Sequence, residues 1–362
     1  MANGASRIYV VNRFSDNVSV IDGTTNTVIA TVPVGSQPRF ESVNEATQRI
    51  YVTNFSSNDV SVIDGNTNTV IASVPVGANP RFSGVNQETN RIYIANFGSA
   101  DVSIIDGDTN TVIATVPVGS GPIYVGINPV TNLIYIANVN SDNVTVIDGN
   151  TNTVIATIPV GTTPRYLGIN PLTNRIYVSN YGSNNVSVID GTSNTVIATI
   201  QTDVGPRLPG INAVTNHIYI PNDVSNTVSV IDGTTNNVVA TIPMNNRPEI
   251  ARVNQTTNRI YVNNFFSNTV SVIDGNTNTV IETIPVGVNP VSLRIKEDTN
   301  RVYTANSGSD DVSVIDGNTN TVIATVTVGA RPVDVDVIGL NNESFSLRYK
   351  YNQDTKTWSR IR

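Results

Sequence analysis

RIYIANFGSADVSIIDGDTNTVIATVPVGSGPIYVGINPVTN, residues 91–132, is the stretch that decides the fold. It breaks into four short runs rich in β-branched and aromatic residues: Arg-Ile-Tyr-Ile-Ala, Val-Ser-Ile-Ile-Asp, Thr-Val-Ile-Ala-Thr-Val and Ile-Tyr-Val-Gly-Ile. Such side chains suit a pleated surface packed on both sides. Between the runs lie Asn-Phe-Gly-Ser-Ala, Gly-Asp-Thr-Asn and Pro-Val-Gly-Ser-Gly-Pro, which are turn chemistry. Four runs joined by short turns predict four antiparallel strands, and the repeats show no helical period.

The same pattern recurs along the chain. Ile-Asp-Gly returns with its aspartate at Asp22, Asp64, Asp106, Asp148, Asp190, Asp232, Asp274 and Asp316, always 42 residues apart. Eight such units run from Arg7 to Asn342 with no linker or change of composition. A four-stranded unit of this length, repeated, predicts the blade of a β-propeller. Call the strands A to D from the central channel outward. The chain then enters at a strand B (residues 7–12) and leaves the last repeat through a strand A (residues 333–338). The expectation is an all-β, eight-bladed propeller, one domain over residues 1–342. Its ring is closed by the C-terminal inner strand joining the N-terminal blade, which leaves no unpaired inner edge. Residues 343–362 leave the repeat and carry five bases against two acids. Two strand-like runs flanking Asn-Gln-Asp predict a basic β-hairpin, packed on the ring.

The motifs themselves resemble a known family. Arg-Ile-Tyr-Val-Thr-Asn (Arg49 to Asn54), Val-Ser-Val-Ile-Asp (Val60 to Asp64) and Thr-Val-Ile-Ala-Ser-Val-Pro-Val-Gly (Thr69 to Gly77) look like the YVTN β-propeller repeat, and the likeness covers all eight units. This family includes archaeal surface-layer proteins and YncE-type extracytoplasmic propellers. The resemblance implies the fold and favours an extracytoplasmic or cell-surface setting. It transfers no activity, because function belongs to sites and not to folds.

Composition narrows the chemistry. Zero cysteines exclude disulfides, thiolate metal sites and cysteine nucleophiles, and His217 alone excludes a histidine-rich metal centre. Net charge is -7, but eight of the 28 acids are the turn aspartates; the remaining 20 face 21 bases. The acidity is architectural, and no overall basic field predicts nucleic-acid binding. No run approaches the roughly 20 apolar residues of a membrane helix. The opening MANGASRIYVVN lacks a cationic n-region and an apolar run, so no signal peptide is expected in it.

Eight copies within one chain can be compared with one another. Positions identical in every copy serve the blade, and positions that differ can build a unique site. The strand B tyrosine is in all copies (Tyr9, Tyr51, Tyr93, Tyr135, Tyr177, Tyr219, Tyr261, Tyr303), which predicts packing between blades with a satisfied hydroxyl. Asp106, Asp108 and Asn110 imitate the start of a calcium loop, but its twelfth position is Pro117; a hairpin turn explains the same residues, and no metal or cofactor is expected. The residue opening strand B is Arg in six copies, with Leu133 and His217 the exceptions. Antiparallel pairing predicts that Arg91 faces Asp106 and His217 faces Asp232, as cross-strand charge pairs.

Strand alternation puts the A–B and C–D turns on one face and the B–C and D–A turns on the other. The first face is repetitive and the second varied. On the varied face strand A opens with Arg39-Phe40, Arg81-Phe82, Ile123-Tyr124, Arg165-Tyr166 and Arg207-Leu208, then loses the pattern. The residue after strand B adds Phe55, Phe97, Tyr181 and Phe265. Guanidinium groups clamp carboxylate or phosphate, and rings stack on flat ligands. The expected site is therefore a channel mouth that binds a protein, peptide, carbohydrate or anion, with Arg39, Phe40, Arg81, Phe82, Tyr124, Arg165, Tyr166 and Arg207 as its residues. The competing expectation is that Asp16, Asp59, Asp101 and Asp142 neutralise those arginines locally. No nucleophile–base constellation is visible, so an enzyme is not expected; a carboxylate-based enzyme is the third reading. The alternative to a binding module is a structural surface protein. Its outer Thr-Val-Ile-Ala-Thr-Val strands, in which Glu282 is the only charge, would assemble laterally by strand addition, against a monomer otherwise.

Overall fold

A computed structural model describes residues 6–339, 349–352 and 357–360. Eight four-stranded antiparallel sheets follow one another around a ring. Blade 2 shows the plan: strand A is Pro38–Asn44, strand B Arg49–Asn54, strand C Asp59–Asp64 and strand D Thr69–Pro75. Blade 1 takes strands B, C and D from Arg7–Asn12, Asn17–Asp22 and Thr27–Pro33, and strand A from Pro332–Ile338. That strand pairs with Arg7–Asn12 in the register Arg7 opposite Ile338, Ile8 opposite Val337 and Val11 opposite Asp334. The ring is closed as the repeat phase requires.

Strands B and C are buried on both sides, because each blade lies face to face with the next. Tyr9, Val18 and Val20 of blade 1 pack with Ile50, Val52 and Ile63 of blade 2. Tyr51, Val60 and Val62 repeat the contact with Ile92, Ile94 and Ile105. Each buried Val or Ile contributes about 1.5–3 kcal/mol, so the core is a ring of inter-blade layers and no blade is stable alone. Each turn aspartate caps its hairpin: Asp64 Oδ1 accepts the N–H groups of Asn66 (2.7 Å) and Thr67 (3.2 Å).

Two expectations need correction. The register sets Arg91 opposite Asp106 and His217 opposite Asp232, yet neither pair is a salt bridge. The arginines instead cross to the turn of the next blade. Arg91 Nη1 donates to Gly149 O (2.6 Å) and Asn152 Oδ1 (3.2 Å), and Arg175 Nη1 to Gly233 O (2.5 Å) and Asn236 Oδ1 (3.5 Å). Asp106 is already held by its own turn's N–H groups, so the long guanidinium arm takes carbonyl and amide acceptors instead. The tyrosines are fully buried as expected, but only Tyr9, Tyr135 and Tyr219 hydrogen-bond through the hydroxyl, to Asn68, Asn194 and Asn278. Tyr135 and Tyr219 belong to the copies that open with Leu133 and His217. Where an arginine reaches the same asparagine, as in blades 2, 3 and 5, the hydroxyls of Tyr51, Tyr93 and Tyr177 lose it and stand against Arg49, Arg91 and Arg175 instead.

Blade 6 departs from the plan. Its strand A shrinks to Gly210–Asn212, because Pro209 brings no N–H to the ladder. Leu208 turns to the neighbouring blade and forms a parallel bridge with Ile250. At the other end of the chain, Tyr349–Asn352 and Thr357–Arg360 pair antiparallel, the expected hairpin. Its packing on the ring, and the rest of 343–362, lie outside the described residues. No helix among the described residues is long and apolar enough to cross a membrane.

Candidate functional site

The channel mouth is built by the first residues of the eight inner strands. Each is preceded by a residue with left-handed φ, among them Gln37 (51°), Asn79 (53°), Gly121 (67°), Arg247 (62°) and Arg331 (53°). That twist swings the chain from the outer strand back to the channel. The third residue of strand A then points into the mouth. In blades 2 to 5 these are aromatic and form one arc. Phe40 and Phe82 stack with centroids 3.6 Å apart, Phe82 and Tyr124 follow at 4.1 Å, and Tyr166 meets Tyr124 edge-on at 5.7 Å. Across the opening stand Leu208, Ile250, Ser292 and Asp334, and the space between holds about 210 Å³.

The second residue of strand A supplies the arginines, each resting on the ring that follows strand B. Arg39 lies 4.7 Å from the Phe55 centroid, Arg81 5.6 Å from Phe97, and Arg165 3.9 Å from Tyr181. Phe265 plays the same part for Arg247, at 4.7 Å. Phe55, Phe97, Tyr181 and Phe265 are thus platforms that hold guanidinium groups in place, through cation–π attraction and stacking. Arg13 and Arg331 complete the rim from blade 1, on either side of Phe14 at 5.5 and 4.7 Å. Reading the inner-strand openings alone misses these two and Arg247. Arg13 holds the position after strand B, and Arg247 and Arg331 sit in the turn before strand A.

The rim has two electrostatic sectors. Arg207 is buried and ion-paired to Asp223 (3.0 Å) and Glu249 (2.6 Å), and Glu249 also meets Arg247 (3.0 Å). Arg207 therefore stands apart from the other expected ligand residues, neutralised inside the wall. Arg13, Arg39, Arg81, Arg165 and Arg331 form no ion pair among the described residues. The acids that were their alternative partners are occupied elsewhere. Asp16 and Asp142 accept the N–H groups of Gln37 and Thr163, both at 2.8 Å. Asp59 and Asp101 accept from the side-chain amides of Asn54 and Asn96, both at 2.7 Å. Burial, then Arg13, Arg81 and Arg331, push the Arg39 guanidinium down to about 10. Arg81 and Arg13 are lowered too, by burial first and by neighbouring arginines after it.

Below the rim the seam between blades 1 and 2 holds acids. Glu41 is fully buried beside Asp334; burial, then Asp334 and Asp336, raise it well above the usual carboxylate range. Asp334 accepts from Ser292 Oγ (2.6 Å) and is raised to about 6, chiefly by burial. Asp336 pairs with Arg294 at 2.5 Å. Among the described residues no group of acids and histidine has the geometry of a metal site.

The architecture is shared with solved structures of low identity. A dihydro-heme d1 dehydrogenase, NirN, in complex with DHE, is 15% identical with TM-score 0.78, over 91% of this chain and 74% of that one. Hydrazine synthase of Kuenenia stuttgartiensis is 21% identical with TM-score 0.64, over 77% and 95%. Apo AztD from Citrobacter koseri is 15% identical with TM-score 0.69, over 94% and 99%. At such identities the likeness is one of fold. No curated protein matches. A family model described as the YNCE-like beta-propeller matches residues 2–292. With its eight blades and their Tyr-Val-Thr-Asn type repeats, the chain belongs to the YNCE-like β-propeller family.

Proposed function

We propose that this protein is a non-enzymatic binding module whose channel mouth takes an anionic ligand with a flat portion. One observation carries the reading: five guanidinium groups, four half-buried and Arg331 exposed, share a rim with no carboxylate partner among the described residues. Like charges held close in partly desolvated surroundings repel, and an anion relieves that repulsion. The aromatic arc beside them offers a wall of rings for the flat portion to lie against. The platforms keep the arginines extended before any ligand arrives, so little ordering is left to do on binding. That NirN has been solved with a ligand supports the use of this fold as a holder of small molecules. His217 opens strand B on the repetitive face, away from the mouth, which fits binding without acid–base chemistry.

Benzene-1,3,5-tricarboxylate and pyrophosphate test the reading by calorimetry, with the trimethyl ester as neutral control. The tricarboxylate should bind the wild type, weaken with salt, and lose about tenfold or more in affinity in Arg39→Gln/Arg81→Gln. No affinity for either anion, or equal affinity in the variant, would overturn it.

A second reading, lateral assembly, is favoured by the outer edges. Every outer strand is a sheet edge, and Ile29, Ile71, Ile113, Ile155, Ile197 and Ile323 are each exposed there by more than two-fifths. Concentration-dependent growth in sedimentation velocity, abolished by lysine at Ile71 and Ile155, would favour this reading; a monomer at high concentration excludes it.

A further inference from the structure

Beneath the mouth the two walls of the channel differ. The fifth residue of the inner strand is Gly84, Gly126, Gly168 and Gly210 in blades 3 to 6, but Arg252, Arg294 and Asp336 in blades 7, 8 and 1. Adjacent inner strands come close on the first wall: a Cβ on Gly210 would lie 2.9 Å from Ala251 Cβ and 3.2 Å from the Ala251 backbone. The result is a second chamber of about 360 Å³, lined by backbone and aliphatic side chains of blades 4 to 7. It shares only Tyr124, Leu208 and Arg252 with the mouth. These three form a waist.

The two polar groups at the waist keep donors to spare. Arg252 donates through Nε to Leu293 O (3.2 Å), and its terminal nitrogens have neither hydrogen bond nor ion pair among the described residues. The neighbouring charges have other commitments. Arg294 is paired with Asp336, Asp334 takes the Ser292 hydroxyl, and burial raises Glu41 well above the usual carboxylate range. Burial and Arg294 lower the Arg252 guanidinium, against the opposing fields of Tyr124, Asp334 and Asp336, with none of which it forms an ion pair. Tyr124 reaches from the opposite wall into the field of Arg252 and Arg294, and its hydroxyl donates to no acceptor among the described residues. Two donors thus stand where the mouth meets a chamber lined by backbone and aliphatic side chains.

From this geometry we infer that the waist is a carboxylate subsite for short aliphatic acids: Arg252 and Tyr124 hold the carboxylate and the glycine-walled chamber takes the alkyl body. The subsite does not depend on the rim arginines, and its test separates the two.

Hexanoate, with hexanol as control, is titrated against the full chain by calorimetry and saturation-transfer NMR. Hexanoate should bind the wild type and Arg39→Gln/Arg81→Gln with affinities within about twofold, and hexanol should not bind. Arg252→Gln should lose about tenfold or more. Tyr124→Phe should lose severalfold with the fold intact, since Phe40 and Phe82 occupy this position in blades 2 and 3. Absence of saturable binding by the wild type, equal binding of hexanol, or equal affinity in Arg252→Gln would overturn the inference. If Arg252→Gln does not fold, unchanged affinity in Tyr124→Phe overturns it. Binding lost in the rim variant and kept in Arg252→Gln would also overturn it and assign the anion to the rim alone.

Discussion

Arg39 and Arg207 occupy the same position of the inner strand, in blades 2 and 6, and meet opposite fates. Arg207 sits between Asp223 and Glu249, so its charge is spent inside the wall and its pKa rises despite burial. Arg39 lies on Phe55 among other arginines, and its pKa falls. The repeat position is the same, although the backbone around Arg207 leaves the regular strand that holds Arg39. The neighbours differ by two carboxylates in blade 6 and none in blade 2. A repeat fixes where a side chain stands; the non-repeating residues around it decide whether it is structural or available.

Four measurements break or sharpen this contrast. The largest effect is expected from Glu249→Gln. Removing the acid leaves Arg207 with one partner and Arg247 with none, and breaking a buried pair of this kind costs about 3–5 kcal/mol. Urea unfolding should show it; a loss below about 1 kcal/mol would mean that the two sectors do not differ in kind. Next is the pH profile of the seam, where acids sit under the acid-free arginines. Asp334 has a folded pKa near 6 against 3.8, so its protonated form is favoured by folding. This contribution is fully present below pH 3.8 and is lost as pH rises through 6, by about 2–3 kcal/mol in all. Glu41 shifts in the same direction. Melting temperature should fall between those limits, and Asp334→Asn should flatten the fall; a rise with pH refutes the assignment.

Arg331→Asn comes third. Arg331 has φ of 53°, as do its counterparts Asn79 (53°) and Asn289 (54°), and asparagine tolerates that region better than arginine. The variant should gain about 0.5–1 kcal/mol of stability while binding the tricarboxylate more weakly, a trade that a purely structural Arg331 would not show. The smallest effect is salt. Raising sodium chloride from about 0.05 to about 0.5 M should stabilise the wild type by about 0.5 kcal/mol, through screening of the rim, and Arg39→Gln by less. Equal responses would mean that the rim arginines do not feel one another.

Sequence made the ring legible because the period, the turn chemistry and the strand composition agree in every copy. The mouth was legible to the extent that Arg39, Arg81 and Arg165 break an eightfold pattern at one position. Arg207 breaks it in the same way, yet the acids that neutralise it come from a different strand and the next blade. The Arg91–Asp106 pairing followed from strand register, but long side chains choose among acceptors across the blade interface, where separation along the chain is 58 to 61 residues. Arg252 and Arg294 were not singled out, although they stand at the repeat position that holds glycine in blades 3 to 6. What that position does not reveal is that Arg294 has a carboxylate partner and Arg252 has none.

The clasp that closes the ring also fixes how the molecule would hang from an attachment. Arg7 lies opposite Ile338, so polypeptide on either side of the propeller departs from adjacent points on the repetitive face. A tether there leaves the mouth directed outward, towards whatever diffuses past. Tension applied between those two points opens the ladder one rung at a time, starting with Arg7 and Ile338, so the joint is mechanically its weakest in the direction in which two leashes would pull it.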